Sequence, residues 1–318
     1  MPSELVGRRA VLGGALGGAT AVAVAACSGD AGGAGEGRGG SAASNTSTSA
    51  PSSETTGPPG SAQSSQSPTS SPDAASTTTS APASASQIAA RATVPVLCWH
   101  QLRQWEASDG AYARNLLICP PDIFRAQLDA LAHDGWNTIG PDQYLDHLTT
   151  GAPLPDKPVL LTFDDSQGSQ MSVGLPELGS RDMTATFFAM TVVLGKPGWL
   201  SRGDLRELDA EGMTVQSHTW DHHRVDEYSG KDWRVQLEQP RQLLEDLIGK
   251  PVEHFAYPFG AWDQEALDHV AEAGYRTAYQ LADRTPSDQR PLLTLRRELV
   301  VSTWSGPQLL DHLAGLTR

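Results

Sequence analysis

Pro158-Val159-Leu160-Leu161-Thr162-Phe163-Asp164-Asp165 decides how the rest of the chain is arranged. From Val159 to Phe163 every residue is apolar or β-branched, with Pro158 on one side and two acids on the other. Such a run predicts a buried strand rather than a helix. A strand that stops on two adjacent carboxylates delivers both to the rim of a sheet. There one can hold a metal ion while the other moves a proton. Taken alone, an Asp-Asp pair also fits a turn or a helix cap, so the sequence on either side has to decide.

Strands and helices alternate around this stretch. Val94 to Trp99 reads as a strand ending at His100. Pro121 to Leu131 and Pro141 to Thr150 read as helices with Pro and Asp at their starts. After the acidic pair come a helix near Val173–Leu178, a strand over Thr184–Met190, and a helix from Ser201 to Glu211 with Ser201 as its cap. Met213–Ser217 is a strand ending at His218. Asp232–Ile248 is a helix that Pro240 must kink or split. Strands over Glu253–Tyr257 and Tyr275–Leu281 flank a helix from Gln264 to Ala273. Leu293–Val301 is extended, and Pro307–Ala314 closes the chain as a helix. The pattern predicts an α/β fold with parallel strands and helices outside, a barrel or an open sheet, in which chemistry gathers at the carboxyl ends of the strands.

The N-terminal third is of a different kind. Arg8-Arg9, an uncharged Ala/Gly-rich run from Ala10 to Ala26, and Cys27 predict an export signal over residues 1–27. The paired arginines are of twin-arginine type. Val24-Ala25-Ala26-Cys27 resembles a lipobox, which would leave Cys27 as a lipidated N-terminus; ordinary secretion with cleavage near Ala26 is the alternative. Residues 28–89 are almost entirely Ser, Thr, Ala, Gly and Pro and predict a disordered linker. Residues 90–318 suffice for one α/β domain. The chain carries a formal charge of −14. From Arg91 onward, 20 basic residues stand against 32 acidic ones. That field disfavours nucleic acid and anionic lipid surfaces, so a membrane would be reached through the lipid alone. Cys98 and Cys119 could form a disulfide in an exported protein, or Cys98 could remain a buried thiol in its apolar run.

Ser217-His218-Thr219-Trp220-Asp221-His222 places two imidazoles four residues apart just past a strand. On a helical turn that spacing puts both on one face. With one carboxylate of Asp164-Asp165 they make a two-histidine, one-carboxylate set suited to a divalent metal with open positions. Tyr257-Pro258-Phe259-Gly260 follows the next strand.

Thr162-Phe163-Asp164-Asp165, His218-Thr219-Trp220-Asp221-His222 and Ala256-Tyr257-Pro258-Phe259-Gly260 resemble, in this order, the first three motifs of the polysaccharide deacetylases (NodB-homology domain, carbohydrate esterase family 4). The resemblance implies a distorted (β/α) barrel and metal-dependent deacetylation of glycans. It assigns the metal to Asp165, His218 and His222, with Zn²⁺ expected and Co²⁺ or Ni²⁺ compatible with the same donors. It makes Asp164 the general base and places the Phe259 backbone N–H at the oxyanion. Val96-Leu97-Cys98-Trp99-His100 resembles the start of the poly-N-acetylglucosamine deacetylase subgroup and names His100 as the general acid. His312, in a Leu-rich stretch, is the alternative. Trp199, Tyr257 and Phe259 are candidate sugar contacts, with Trp262 beside them.

The sequence departs from that pattern in three places. Ala256 stands where an arginine usually tethers the base; Arg296 or Arg297 could substitute, although two arginines near an extended segment more often read as surface charges. Ser166 stands where a glycine usually follows the acidic pair, and Trp99 replaces a tyrosine. His133, His147, His254 and His269 read as partnerless. The expectation is a monomeric, exported, lipid-tethered enzyme that removes N-acetyl groups from an envelope or extracellular glycan. The alternatives are an O-acetyl esterase, or an inactive carbohydrate-binding protein on the same fold.

Overall fold

The computed structural model describes residues 83–281 and 283–316. The export signal, Cys27 and the linker up to residue 82 lie outside the described residues. The linker boundary expected at 89 is too late. Ser84 forms a capping box with Gln87 and starts α1, Ala85–Arg91, which buries Ile88. A Ser/Ala-rich composition hid a cap and one apolar anchor.

Eight strands follow: β1 Val96–Trp99, β2 Asn137–Thr138, β3 Pro158–Asp164, β4 Thr186–Ala189, β5 Thr214–Ser217, β6 His254–Ala256, β7 Thr277–Leu281 and β8 Leu295–Leu299. All pairings are parallel. They run from β3 through β4, β5, β6, β7 and β8 to β1, which pairs back onto β3. Seven strands thus close a barrel. The two-residue β2 pairs with the first residues of β3, on the edge that β4 takes higher up. The helices are α2 Pro121–His133, α3 Pro141–Thr150, α4 Leu175–Gly179, α5 Arg202–Ala210, α6 Gln239–Ile248, α7 Gln264–Glu272 and α8 Gly306–Leu316. No helix among the described residues is long and apolar enough to cross a membrane.

Local chemistry accounts for these ends. Ser201 and Asp204 form a capping box at α5, and Asp263 caps α7. Pro240 splits its predicted helix: the chain makes a π-helical turn over Arg234–Glu238, and Pro240 then sits in the first turn of α6, where no N–H is needed.

The period-2 alternation of β3 sorts its side chains onto two cores. Val159, Leu161 and Phe163 face outward into the layer between sheet and helices, whereas Leu160 joins the cluster inside the barrel. Outside, Trp99, Phe163 and Phe187 stack successively at centroid distances of 5.9 and 4.9 Å, with Phe124 edge-on. The Trp99 indole N–H donates to buried Gln127 at 3.0 Å, and Gln127 donates to the carbonyls of Val301 and Trp304. Trp99 in place of tyrosine is therefore packed and satisfied outside the barrel, which turns the neighbouring His100 toward the mouth. Cys98 and Cys119 are both free and buried. Of the two alternatives, the buried thiol holds for Cys98, and burial pushes the Cys119 thiol up to about 12.

Candidate active site

Asp164 is the last residue of β3, and the same alternation that turns Leu160 inward turns Asp164 inward, at 2 % exposure. The next two residues leave the strand with positive φ, 77° at Asp165 and 64° at Ser166. Ser166 supports this turn from inside: its hydroxyl accepts from the Met190 N–H at 3.0 Å and lies 3.3 Å from the Met190 carbonyl. A glycine there would supply the conformation but not the tie to β4. The turn aims the two carboxylates at different partners.

Asp165 faces the histidines. Its Oδ1 lies 3.4 Å from His218 Nε2 and 3.3 Å from His222 Nε2. The three ligand atoms fall within 4.8 Å of one another. The helical turn expected for His218–His222 is absent. Thr219 and His222 have φ of 66° and 68°, so the segment is an irregular loop. The Thr219 hydroxyl accepts from the His222 N–H at 3.0 Å, closing the loop so that the two rings meet at 4.9 Å. His218 Nδ1 lies 2.8 Å from the Ala256 carbonyl, which can only accept, so Nδ1 carries the proton and Nε2 presents its lone pair to the site. Asp165 Oδ1 and His218 Nε2 are buried and have no hydrogen-bond partner. Buried polar atoms are ordinarily paired, and two lone pairs converging beside the imidazole of His222 fit a divalent cation.

Asp164 has the arginine that Ala256 does not provide. Arg297 donates from Nη1 to Oδ1 at 2.6 Å and from Nη2 to Oδ2 at 2.7 Å, with both side chains almost fully buried. Phe188 lies 5.3 Å from the guanidinium. Arg297 is therefore not a surface charge; its neighbour Arg296 is. The signal was the period-2 pattern Leu295-Arg296-Arg297, in which Arg297 shares the buried face with Leu295. Gln170, on a π-helical turn over Gln170–Gly174, was missed. It donates to the carbonyls of Asp164 at 2.5 Å and His100 at 3.1 Å, so one side chain fixes the backbone of both residues.

The charges follow from this packing. Burial pushes the Asp164 carboxyl up, but Arg297 and then His218 outweigh it and hold it at about 2. Burial also opposes ionisation of Asp165, and the surrounding imidazoles, His218 foremost, pull it well below the ordinary carboxylate range. His222 is pushed down to about 4 by burial and by His218. For His218, burial is outweighed by Asp164 and Asp165, and its value rises.

A cavity of about 90 Å³ lies over this cluster. His100, Tyr257 and Phe259 line it, together with Asp164, Asp165, His218, His222 and Arg297. His100 thus reaches the site. His312 does not join it there: it sits on α8 against Trp304 and 3.6 Å from Glu298. Phe259 is 59 % exposed, with its ring 4.6 Å from that of His222. Its φ of 58° is followed by Gly260, where a Cβ would fall 2.7 Å from the Leu281 nitrogen, so only glycine closes this turn against β7. Tyr257 is not a stacking platform. It lines the cavity, but its ring is buried edge-on to Phe255 and its hydroxyl is buried without a hydrogen-bond partner. Trp199 is half-buried and bridges Gln167, two residues past Asp165. Trp262 donates to Gln280 and carries Arg284 over its ring at 4.3 Å.

Three of the four histidines read as partnerless have partners. His254 contacts Thr277 Oγ1 at 2.7 Å and Asp142 at 3.0 Å, His147 contacts the Ala152 carbonyl, and His269 stacks on Trp233 beside Glu272.

A closed parallel barrel thus carries at its carboxyl mouth an Asp-His-His set with the donors to hold a divalent cation, beside a buried, arginine-held carboxylate. The family profile described as polysaccharide deacetylase matches residues 151–278, and the chain belongs to that family. Protein YxkH of Bacillus subtilis is 25% identical over 215 residues, covering 68% of this chain and 74% of its own. The peptidoglycan-N-acetylglucosamine deacetylase PgdA of Listeria monocytogenes is 30% identical over 178 residues, covering 53% of this chain and 37% of PgdA. Among solved structures, the Streptococcus pyogenes deacetylase PplD in complex with acetate superposes with a TM-score of 0.63 at 25% identity, covering 69% of this chain and 97% of PplD. IcaB of Ammonifex degensii shares the fold, with a TM-score of 0.56 at 24% identity, covering 71% and 97%.

Proposed function

We propose that this protein is a divalent-metal-dependent hydrolase that removes N-acetyl groups from an N-acetylglucosamine-containing glycan of the cell envelope or its surroundings. The observation that carries this is the division between the adjacent carboxylates. Asp165 converges with His218 and His222 on orphaned lone pairs, while Arg297 holds both oxygens of Asp164, the nearer of them 3.8 Å from His218 Nε2.

Asp165, His218 and His222 would hold the ion, Zn²⁺ first among the candidates. When bound, it supplies a Lewis acid for the acetyl carbonyl and makes a water more acidic. Asp164 accepts the proton of the attacking water, for which it must be ionised before substrate arrives. Held at about 2, it is ionised at any pH at which the protein functions. Arg297 fixes its two oxygens in one plane by a fork of hydrogen bonds. His100, tied to Asp164 through Gln170, hands a proton to the leaving nitrogen. The Phe259 backbone N–H steadies the developing oxyanion.

The names of the relatives support the substrate class, since PgdA is named for peptidoglycan N-acetylglucosamine and an Azorhizobium caulinodans relative for chitooligosaccharide. His100 at the cavity supports the poly-N-acetylglucosamine type of acid over His312. An acidic domain suits the cationic amine of the product and no nucleic acid. Export through the N-terminal signal and anchoring through Cys27 complete the reading, with the catalytic unit a monomer.

Acetate release from N-acetylglucosamine oligomers is the test. It is expected from the metal-loaded protein and abolished by a chelator. A protein with stoichiometric bound metal that releases no acetate from these oligomers, from peptidoglycan or from poly-N-acetylglucosamine refutes it.

A further inference from the structure

We propose that Tyr112 is a substrate-positioning residue that, with Phe259, holds a sugar ring at the mouth of the site. The inference rests on the deacetylase reading and adds where the rest of the glycan lies.

The cavity over Asp164 and Asp165 measures about 90 Å³. That is the volume of about three waters, and well short of the ~300 Å³ at which a pocket encloses a small organic ligand. An acetyl group enters such a space; a pyranose ring does not. The ring bearing the acetyl group and its neighbours in the chain must therefore lie across the rim.

Among the described residues, Tyr112 at 62 % and Phe259 at 59 % are the most exposed large apolar side chains, and both line this one cavity. Single exposed aromatics need no explanation, but two at one catalytic mouth mark a surface for an amphipathic ligand. A sugar presents an apolar face of C–H groups and an edge of hydroxyls. An aromatic ring with a polar tip matches both.

Tyr112 is delivered by a rigid support. It belongs to an excursion between β1 and α2 that is locked at its base by the Gln101–Ile118 bridge, with N–H to carbonyl bonds from Gln101 to Leu117 and from Cys119 to Gln101. Arg103 and Asp109 pair bidentately within it, and the Trp105 indole donates to the Ile118 carbonyl. The Asn115 carbonyl accepts from the Ser302 N–H at 2.7 Å, tying the excursion to the chain after β8. Tyr112 immediately precedes the π-helical turn Ala113–Leu117, whose Leu117 also lines the cavity. A tethered loop spares the ordering cost of the backbone on binding and leaves only that of the ring, which is what a positioning residue needs.

The experiment compares metal-loaded wild type, Tyr112→Ala and Tyr112→Phe. It uses a pentamer of N-acetylglucosamine, with turnover read as acetate release and binding read by calorimetry. Tyr112→Ala is expected to raise KM and the dissociation constant about tenfold, the loss of one aromatic contact, and to move kcat by less than about threefold. Tyr112→Phe, which keeps the ring, is expected within about twofold of wild type on both measures. A Tyr112→Ala protein that binds the pentamer as wild type does overturns the inference, as does one that loses kcat with binding intact. If wild type binds the pentamer without releasing acetate, the deacetylase reading fails, and the calorimetric comparison still decides the role of Tyr112.

Discussion

The two mouths of the barrel each bury a histidine beside an aspartate, and the two pairs are built on opposite principles. At the amino mouth, both ring nitrogens of His254 have partners, Thr277 and Asp142, above an apolar plug that includes Ile88, Val96, Tyr144 and Leu160. At the carboxyl mouth, His218 satisfies one nitrogen on the Ala256 carbonyl and leaves the other bare against a bare Asp165 oxygen. The backbone tells the same story. Among the described residues, seven non-glycine residues have positive φ, and Asp165, Ser166, Thr219, His222 and Phe259, all at the carboxyl mouth, are five of them. Each such residue costs on the order of 1–3 kcal/mol. One end of the barrel is closed for stability; the other is held under strain with ligand atoms exposed to one another.

The sharpest way to break this comparison is to alter the proton-moving carboxylate alone. Asp164→Asn preserves shape and leaves the convergent set untouched, so turnover should fall by about 10²–10⁴-fold, the weight of a general base. Metal content, measured by elemental analysis, should not change. Loss of the metal along with activity would show that the two carboxylates do not divide the work. Next in size is Arg297→Met. Removing one partner of a buried pair leaves an uncompensated charge, at about 3–5 kcal/mol by denaturant titration. The sign with pH follows from Asp164. Its folded value of about 2 lies below the unfolded ~3.9, so the pair stabilises fully above that value and the contribution is lost as pH falls toward 2. Without Arg297, its largest opponent, burial is countered only by the nearby imidazoles, His218 first, and the carboxyl's value rises. The acid limb of kcat/KM should then move to higher pH, an outcome that mere loss of stability does not produce.

The fold was legible because strand and helix periods change cleanly along the chain and the caps sit where the periods change. The alternation of β3 even fixes which of two adjacent acids turns inward. The three convergent donors, Asp165, His218 and His222, were legible by type and spacing, but not the backbone that gathers the histidines. Two left-handed residues and a Thr219 hydroxyl, not a helical turn, bring them together. Arg297 was legible only as one of two possible tethers, because a charged residue in an extended run reads as solvated, although a period of two placed it on the face of Leu295. Gln170 and Tyr112 lie in stretches without either period, and their roles come from what the barrel closure sets beside them.

Smaller effects test whether the amino mouth is only structural. Ile88→Ala opens the plug where α1 meets the barrel, and a 7 % exposed side chain puts the cost near the lower end of the large-to-small range, about 2 kcal/mol. Acetate release measured well below the melting temperature should be unaffected. Asp142→Asn should cost least. Its side chain is 74 % exposed, so solvent screens its pairing with His254 to below about 1 kcal/mol. The hydrogen bond from His254, against the opposing effect of burial, holds the Asp142 carboxyl below its ordinary value. Its contribution is therefore complete above pH ~4 and lost in acid, so the Tm difference between wild type and Asp142→Asn should shrink as pH falls below that value. Metal content and turnover should match wild type. If instead the substitution lowers either, His254 transmits to the carboxyl mouth through β6, whose Ala256 carbonyl holds His218. The satisfied histidine would then be part of the machinery at the opposite mouth.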